Sequence, residues 1–477
     1  MATDFRLTGT QRTQLVESRH LWYAALVVVS LACAIGLLFA GPTLVFGLMG
    51  IIFLAVMLLH NPYLGVLAYI VFEYARLSAM FPGLRDLQFG KLIVLTTLII
   101  FLIRRATSHD IKIVSDKIYV LFLAWLGIAL VSMAFAMNTQ MAFDATVDLA
   151  KWFVICFLLI NLVDTIPKLQ VFIWLLLLLN FKQAQFQMRS FVAGLSSASD
   201  QAYFIQQGVG SGSGGFFSNG NDFGMAMVIV VPLAFYLFLS MKSRILKVIA
   251  GVMTATFVIA LLRSSSRGAA LGLAAATALY WARSRNKLVS LALVIAFLAG
   301  FWVIASDPWK QRFLNAQNYE EDSTASSRIT LWKGGISMLA DHPLTGVGIN
   351  NFSSNWESKY RPSGVRGATV VHNIFLQAAS ELGLGGLAVV VAVLVLIFRR
   401  NRETRKICRE ANLSEPWLPN FSLALDCSLI GFIVHGFFLT VLYYPHLYII
   451  AAIAIALHAI AKKQALSSLP VSSLPSS

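Results

Sequence analysis

Between residues 21 and 461 the chain returns again and again to apolar runs of about 17–25 residues. A helix of that length spans the hydrocarbon core of a bilayer. A chain that crosses lipid many times must satisfy its backbone hydrogen bonds inside each crossing segment, and helices do this. A membrane barrel would need short segments of alternating polarity, which the sequence lacks. Composition agrees, since 58% of the residues are apolar and only 12% charged, too little charge to cover a soluble surface. The sequence therefore predicts an all-α polytopic membrane protein of about 12–14 transmembrane helices.

The expected spans are residues 21–40, 43–60, 62–76, 90–103, 118–136, 149–163, 169–181, 223–240, 246–262, 268–282, 288–305, 371–398, 420–440 and 444–461. The pair 43–60 and 62–76 lies close enough to be merged or re-entrant. The organisation that follows is a cytoplasmic segment (1–20), a helix bundle (21–305) with outer loops at 182–222 and 263–267, a large outer loop (306–370), C-terminal helices (371–461) and a disordered cytoplasmic tail (462–477). The run at 21–40 lacks a convincing cleavage site and reads as a retained span. Of the four cysteines, Cys33, Cys156 and Cys427 fall in expected spans and Cys408 in a basic loop. No spacing suggests a disulfide frame or a zinc site.

Lysine and arginine are retained on the cytoplasmic side of membranes. With the N terminus inside, "RRATSHDIKIVSDK", "MKSRILK", "WARSRNK" and "RRNRETRKICRE" all fall inside, and 22 of the 37 basic residues lie on that face. The loop 306–370 then faces outward and is expected to be partly helical, from about Arg328 to Leu339, with a turn at Pro343. The net charge of +15 is thus topological, matched to anionic headgroups, and calls for no nucleic-acid partner.

Three outward segments carry candidate chemistry. Arg189 follows an amide-rich turn near the outer boundary. An arginine there can simply snorkel to the headgroups, or its guanidinium fork can clamp phosphate. Arg267 opens a span that continues "GAALGLAAA", a small-residue face for close helix packing. A cation at such a place needs a cavity or an anion, and the three preceding serines and the helix N-terminus offer further donors. Arg263 is a candidate rim partner, although an interfacial anchor is the plainer reading.

His372 stands at the outer start of a span. A lone histidine there is usually a polar terminus. It also lies on the same membrane face as both arginines, and a neutral imidazole can take a proton from an attacking hydroxyl. A helix N-terminus favours that neutral form. Glu381 follows nine residues later, about 13 Å along the helix, too far to touch His372. A structural hydrogen bond to a neighbouring helix is expected of it. His342 precedes a proline and should shape the loop.

"SSRITLWKGGISMLADHPLTGVGINNF" followed by "HNIFLQAASELGLGG", with "GFFSNGNDFGM" and "SSSRGAALGL" upstream, resembles the O-antigen ligase and polymerase superfamily over residues 180–400. The resemblance implies a metal-independent glycosyltransferase with no cofactor, working on the periplasmic face of the bacterial inner membrane. Its donor would be a glycan on undecaprenyl pyrophosphate. Its acceptor would be a lipid A–core sugar in a ligase, or another repeat unit in a polymerase. It implies His372 as the catalytic histidine and Arg189 and Arg267 as the functional arginines; the loop itself offers Arg328, His342 and Asn350 as further contributors. Family ligases usually have 12 spans, one pair fewer than the sequence suggests.

The chemistry agrees. A pyrophosphate leaving group needs fixed cations where charge develops, and no ATP is available outside. A transporter or flippase would instead place ionisable groups near the midplane and show internal repeats. Here the candidates gather at one face.

Overall fold

The computed structural model describes residues 56, 58–77, 88–107, 113–195, 217, 219–264, 266–284, 287–288, 323–365, 370–413 and 417–468. The expected span 21–40, most of 43–60 and of 288–305, the segment 1–20 and Cys33 lie outside the described residues. So do residues 196–216 and 306–322 of the two expected loops. The chain forms two compact units, Met1–Leu64 and Gly65–Ser477, and the helices treated below lie in the second apart from the start of α1.

The elements are α1 (Tyr63–Tyr74), α2 (Phe89–Thr107), α3 (Ile118–Met133), α4 (Thr139–Leu162), α5 (Ile166–Leu195), α6 (Gly220–Ser240), α7 (Arg244–Arg263), α8 (Arg267–Arg283), α9 (Ser323–Asp341), the short α10 (Phe352–Asn355) with a π turn at Trp356–Tyr360, α11 (Ile374–Glu410), α12 (Trp417–Gly436) and α13 (Pro445–Ser467). No strand occurs among the described residues. Seven of these helices are long and apolar enough to cross a membrane, namely α4, α5, α6, α7, α11, α12 and α13. The protein is an all-α polytopic membrane protein.

Packing follows side-chain size. On α8, Gly268, Gly272 and Ala276 are buried. A Cβ on Gly272 would come 2.8 Å from the Gly431 carbonyl of α12, so only a bare backbone permits this approach. Elsewhere aromatic rings fill the core. Phe122 of α3 stacks on Phe153 of α4 at 4.2 Å, and Trp152 of α4 stacks on Tyr448 of α13 at 6.2 Å.

Several helices run past the bounds that hydropathy suggests. α4 begins at Thr139, ten positions before expectation, because Asn138 caps it by accepting from the Met141 amide. α5 continues to Leu195, so residues 182–195 are helix where a loop was expected. Its polar side chains are used within the bundle: Gln183 and Lys182 donate to the carbonyls of Tyr74 and Ala75, both at 2.8 Å. α11 extends to Glu410, so "RRNRETRKICRE" is helical rather than a loop, and Cys408 is buried. Arg400 pairs with Asp116 and Arg405 with Asp426, both at 2.7 Å. α13 continues to Ser467, so residues 462–467 are helix rather than tail. Hydropathy discounts charged residues, whereas a helix tolerates them wherever a partner neutralises them.

The contacts sort the connections into two ends. The 134–138 turn, Ser264 and Ser266, residues 342–365 and 370–373 and the loop 437–444 share one end. Residues 113–117, the C-terminus of α4 and the basic part of α11 share the other.

Candidate functional site

At the first end, Ser266 caps α8 by accepting from the Ala269 amide at 3.2 Å. Its own amide donates to Ser264 Oγ at 3.4 Å. This turn of three residues separates Arg263, the last residue of α7, from Arg267, the first of α8. The start of α6 packs beside it. A Cβ on Gly220 would collide with the Ser264 carbonyl. Asn219 caps α6, and Asp222 accepts from Asn219 at 2.6 Å and from the Tyr444 hydroxyl at 3.4 Å. The motifs "GFFSNGNDFGM" and "SSSRGAALGL", separate in sequence, thus meet at Gly220 and Ser264.

The second part is built on a kink. Gly383 adopts φ +70 inside α11 and interrupts the helix. The Leu384 amide, whose helical acceptor would be Ser380, donates instead to the Pro343 carbonyl at 2.8 Å. The amides of Val347 and Gly348 in turn donate to the carbonyls of Ser380 and Glu381, at 2.9 and 3.1 Å. Segment 343–348 therefore replaces the helical bonds that the kink breaks. Its glycines are required by contact: a Cβ on Gly346 (φ +63) would collide with the Glu381 backbone carbonyl, and one on Gly348 (φ +102) would lie 2.6 Å from Ala136 Cβ. Beyond, Asn351 donates to the Asn138 carbonyl at 3.1 Å and accepts from the Asn138 amide at 2.7 Å.

Glu381 is buried beneath this loop. Oε2 accepts from the Tyr443 hydroxyl at 2.6 Å and the Asn350 amide at 3.0 Å, and Oε1 from the Phe352 amide at 3.4 Å. Its partners are therefore two loop groups and the first amide of the short α10, rather than a neighbouring membrane-spanning helix.

His372 sits immediately before Asn373, the residue whose side chain caps α11. Its backbone is in the left-handed region (φ +50), and its amide donates to Thr440 Oγ1 at 2.7 Å. Nδ1 is buried with no hydrogen-bond partner. Burial, and then the nearby positive charge of Arg328, push the ring down to about 4. The imidazole is accordingly neutral at neutral pH.

Around it the structure gathers Arg328, a loop contributor expected from sequence, together with Trp332 and His435, which sequence reading did not single out. Trp332 of α9 packs edge-on against Phe437 at 5.5 Å and near Phe438 at 6.4 Å. His435, 1% exposed near the end of α12, has Nε2 at 3.3 Å from Ser266 Oγ. Arg328 of α9 acts through its charge on His372. Residues 435–440 thus join the Arg267 turn to the His372 turn. His435 lay hidden in the apolar run 420–440; the one available signal was a histidine near the outward end of a span.

The other sequence candidates fall as follows. Arg189 is exposed on α5, its Nε donating to the Gln185 carbonyl of its own helix at 3.4 Å, and no described contact joins it to Arg267 or His372. His342 follows the last residue of α9, with its amide on the Met338 carbonyl and its carbonyl accepting from Gly346 at 3.0 Å. Asn350 is exposed with φ +55 and contributes its amide to Glu381.

Residues 252–391 match the family model for O-antigen ligase. This part of the chain is similar to an O-antigen ligase domain. It runs from within α7 through the Arg267 turn, α9 and His372 to the kinked part of α11. Arg189 and His435 lie outside the matched residues. Over 139 residues the chain is also 36% identical to the exopolysaccharide production protein ExoQ of Rhizobium meliloti (strain 1021), covering 28% of this chain and 31% of that protein. The chain thus aligns with about a third of that relative's length. Together these findings support the resemblance of this membrane protein to the O-antigen ligase and polymerase superfamily.

Proposed function

We propose that this protein transfers a glycan from undecaprenyl pyrophosphate to an acceptor hydroxyl, at a site facing the periplasm of a bacterial inner membrane. The observation that carries the reading is the neutral, half-buried His372 at one end of the bundle, joined through residues 435–440 to the turn that presents Arg267.

The acceptor oxygen attacks the donor's anomeric carbon as the bond from that carbon to the pyrophosphate oxygen breaks. The acceptor's proton passes to His372, whose Nδ1 has no other partner. The electron pair of the broken bond leaves on the pyrophosphate, where Arg267, aided by Arg263 and Arg189, meets the developing charge. Attack opposite the leaving group inverts the anomeric centre. The polyprenyl tail lies against the apolar spans.

Two acceptors fit this chemistry. Ligation would place the glycan on a lipid A–core sugar. Polymerisation would place it on another repeat unit, and the similarity to an exopolysaccharide production protein favours that second outcome. The test incubates purified protein with a lipid-linked glycan donor and either acceptor. A ladder on the carrier lipid identifies a polymerase, and glycan on lipid A–core a ligase. Purified protein that releases undecaprenyl pyrophosphate with neither acceptor overturns the proposal.

A further inference from the structure

We propose that His435 is a positioning residue for the donor's pyrophosphate, acting through Ser266 to hold the first turn of α8 and with it Arg267. The inference rests on the reading of Arg267 as a pyrophosphate ligand.

Three observations carry it. The first is the contact of Nε2 with Ser266 Oγ at 3.3 Å. That hydroxyl already accepts from the Ala269 amide, so the serine that caps the helix is tied on one side to its own backbone and on the other to α12. The second is shape. A Cβ on Gly268 would lie 2.7 Å from His435 Cδ2 and 3.5 Å from Phe438 Cβ, and one on Gly272 3.1 Å from His435 Cβ. The ring thus fills the space beneath the first turn of α8, on the face that the glycines leave open. The third is isolation from bulk water: His435 is 1% exposed and its Nδ1 has no hydrogen-bond partner. A buried polar ring left half satisfied costs stability, and an apolar side chain of similar size would pack without that cost.

The physical link to the donor is orientation. A guanidinium clamps phosphate through a planar fork, whose strength depends on direction. Arg267 begins its helix, and the first turn of a helix presents amides without intrahelical acceptors. A small rotation of that turn would misdirect both the fork and the amides. His435 fixes the turn against α12, whose following residues 437 and 438 meet Trp332 of α9. The face that receives the pyrophosphate is thereby coupled to the helix that carries Arg328.

The test uses the full-length protein in nanodiscs, with glycan-free undecaprenyl pyrophosphate as the binding probe and the lipid-linked donor for kinetics. His435→Leu, which keeps bulk and loses the hydrogen bond, is expected to weaken probe binding and raise the donor KM by about tenfold, with kcat changed less than about threefold. His435→Gln, which keeps a group able to reach Ser266, is expected to stay within about threefold of the wild type. Ser266→Ala should match His435→Leu, and the double variant should be no weaker than Ser266→Ala alone. The proposal is overturned if His435→Leu binds the probe as the wild type does, if His435→Gln loses as much as His435→Leu, or if the two losses add. Should His435→Leu fail to fold, His435→Gln and Ser266→Ala singly and together still decide between these results. Wild-type protein that binds the probe but transfers no glycan would sink the transferase reading and leave the positioning role standing. Wild-type protein that does not bind the probe removes both.

Discussion

Tyr443 donates its hydroxyl to Glu381 at 2.6 Å, joining the loop between the last two helices to the kink of α11. The same carboxylate receives the amides of Asn350 and Phe352. One buried side chain therefore holds together three segments that frame the candidate site. Glu381→Ala leaves a hydroxyl and two amides without their acceptor. Each such buried donor costs about 1–3 kcal/mol. The variant should show a clearly lower apparent unfolding temperature in detergent, with lost transfer following lost structure. An unchanged unfolding temperature together with lost transfer would give Glu381 a chemical role instead.

Arg267→Lys keeps the charge at the start of α8 and removes the fork. A charged hydrogen bond is worth about 1.5–3 kcal/mol, so transfer at limiting donor should fall by about 10–100-fold while the protein folds normally. Near-normal transfer would make Arg267 an interfacial anchor. Arg189→Ala, tested beside it, should weaken donor use as well.

His372→Ala removes the proposed base. General-base help is typically worth about 10²–10⁴-fold in rate, so transfer should drop by that order while binding of donor is little changed. Transfer at the wild-type rate would end the assignment. His342→Ala, a change in the loop, should do less.

The ring of His372 is held at about 4 against an ordinary value of 6.5. Activity limited by this group should therefore be level above about pH 5 and fall as pH drops through 4. The linkage sign follows from proton binding. Between about 4 and 6.5 the unfolded chain binds a proton that the folded chain does not, so stability rises with pH across this window. It is fully present above 6.5 and is lost as pH falls toward 4. Arg328→Gln removes the smaller of the two causes and leaves burial, so the acid limb of transfer should move up yet stay below 6.5. A pH profile that does not move would mean that Arg328 is not coupled to the reacting base.

Orientation can be tested by thiol labelling. Cys408 is 5% exposed, so its silence toward an impermeant reagent would report burial rather than sidedness. Lys406, with a side chain 67% exposed, and Glu357, 51% exposed, are better reporters. In a cysteine-free background with a leaky outer membrane, Glu357→Cys should react in whole cells and Lys406→Cys only after lysis. The reverse pattern would place the site on the cytoplasmic side.

Much of this protein is determined locally. Apolar length alone makes the helices, because an unpaired backbone is too costly in lipid, and basic segments mark one end of the bundle. The helical nature of 328–339 and the start of α8 at Arg267 are legible for the same local reason. His372 could be singled out because it interrupts an apolar pattern. His435 could not, because its importance is a contact with Ser266 across 169 positions, and nothing in a hydropathy pattern encodes which face of a span meets which turn. The same holds for the polar ends of α5 and α11, where Gln183 and Arg400 become helical because partners on other segments satisfy them. The kink at Gly383 is likewise a tertiary decision. A glycine permits φ +70, but only the amides of Val347 and Gly348, brought from another segment, satisfy the carbonyls that the kink releases.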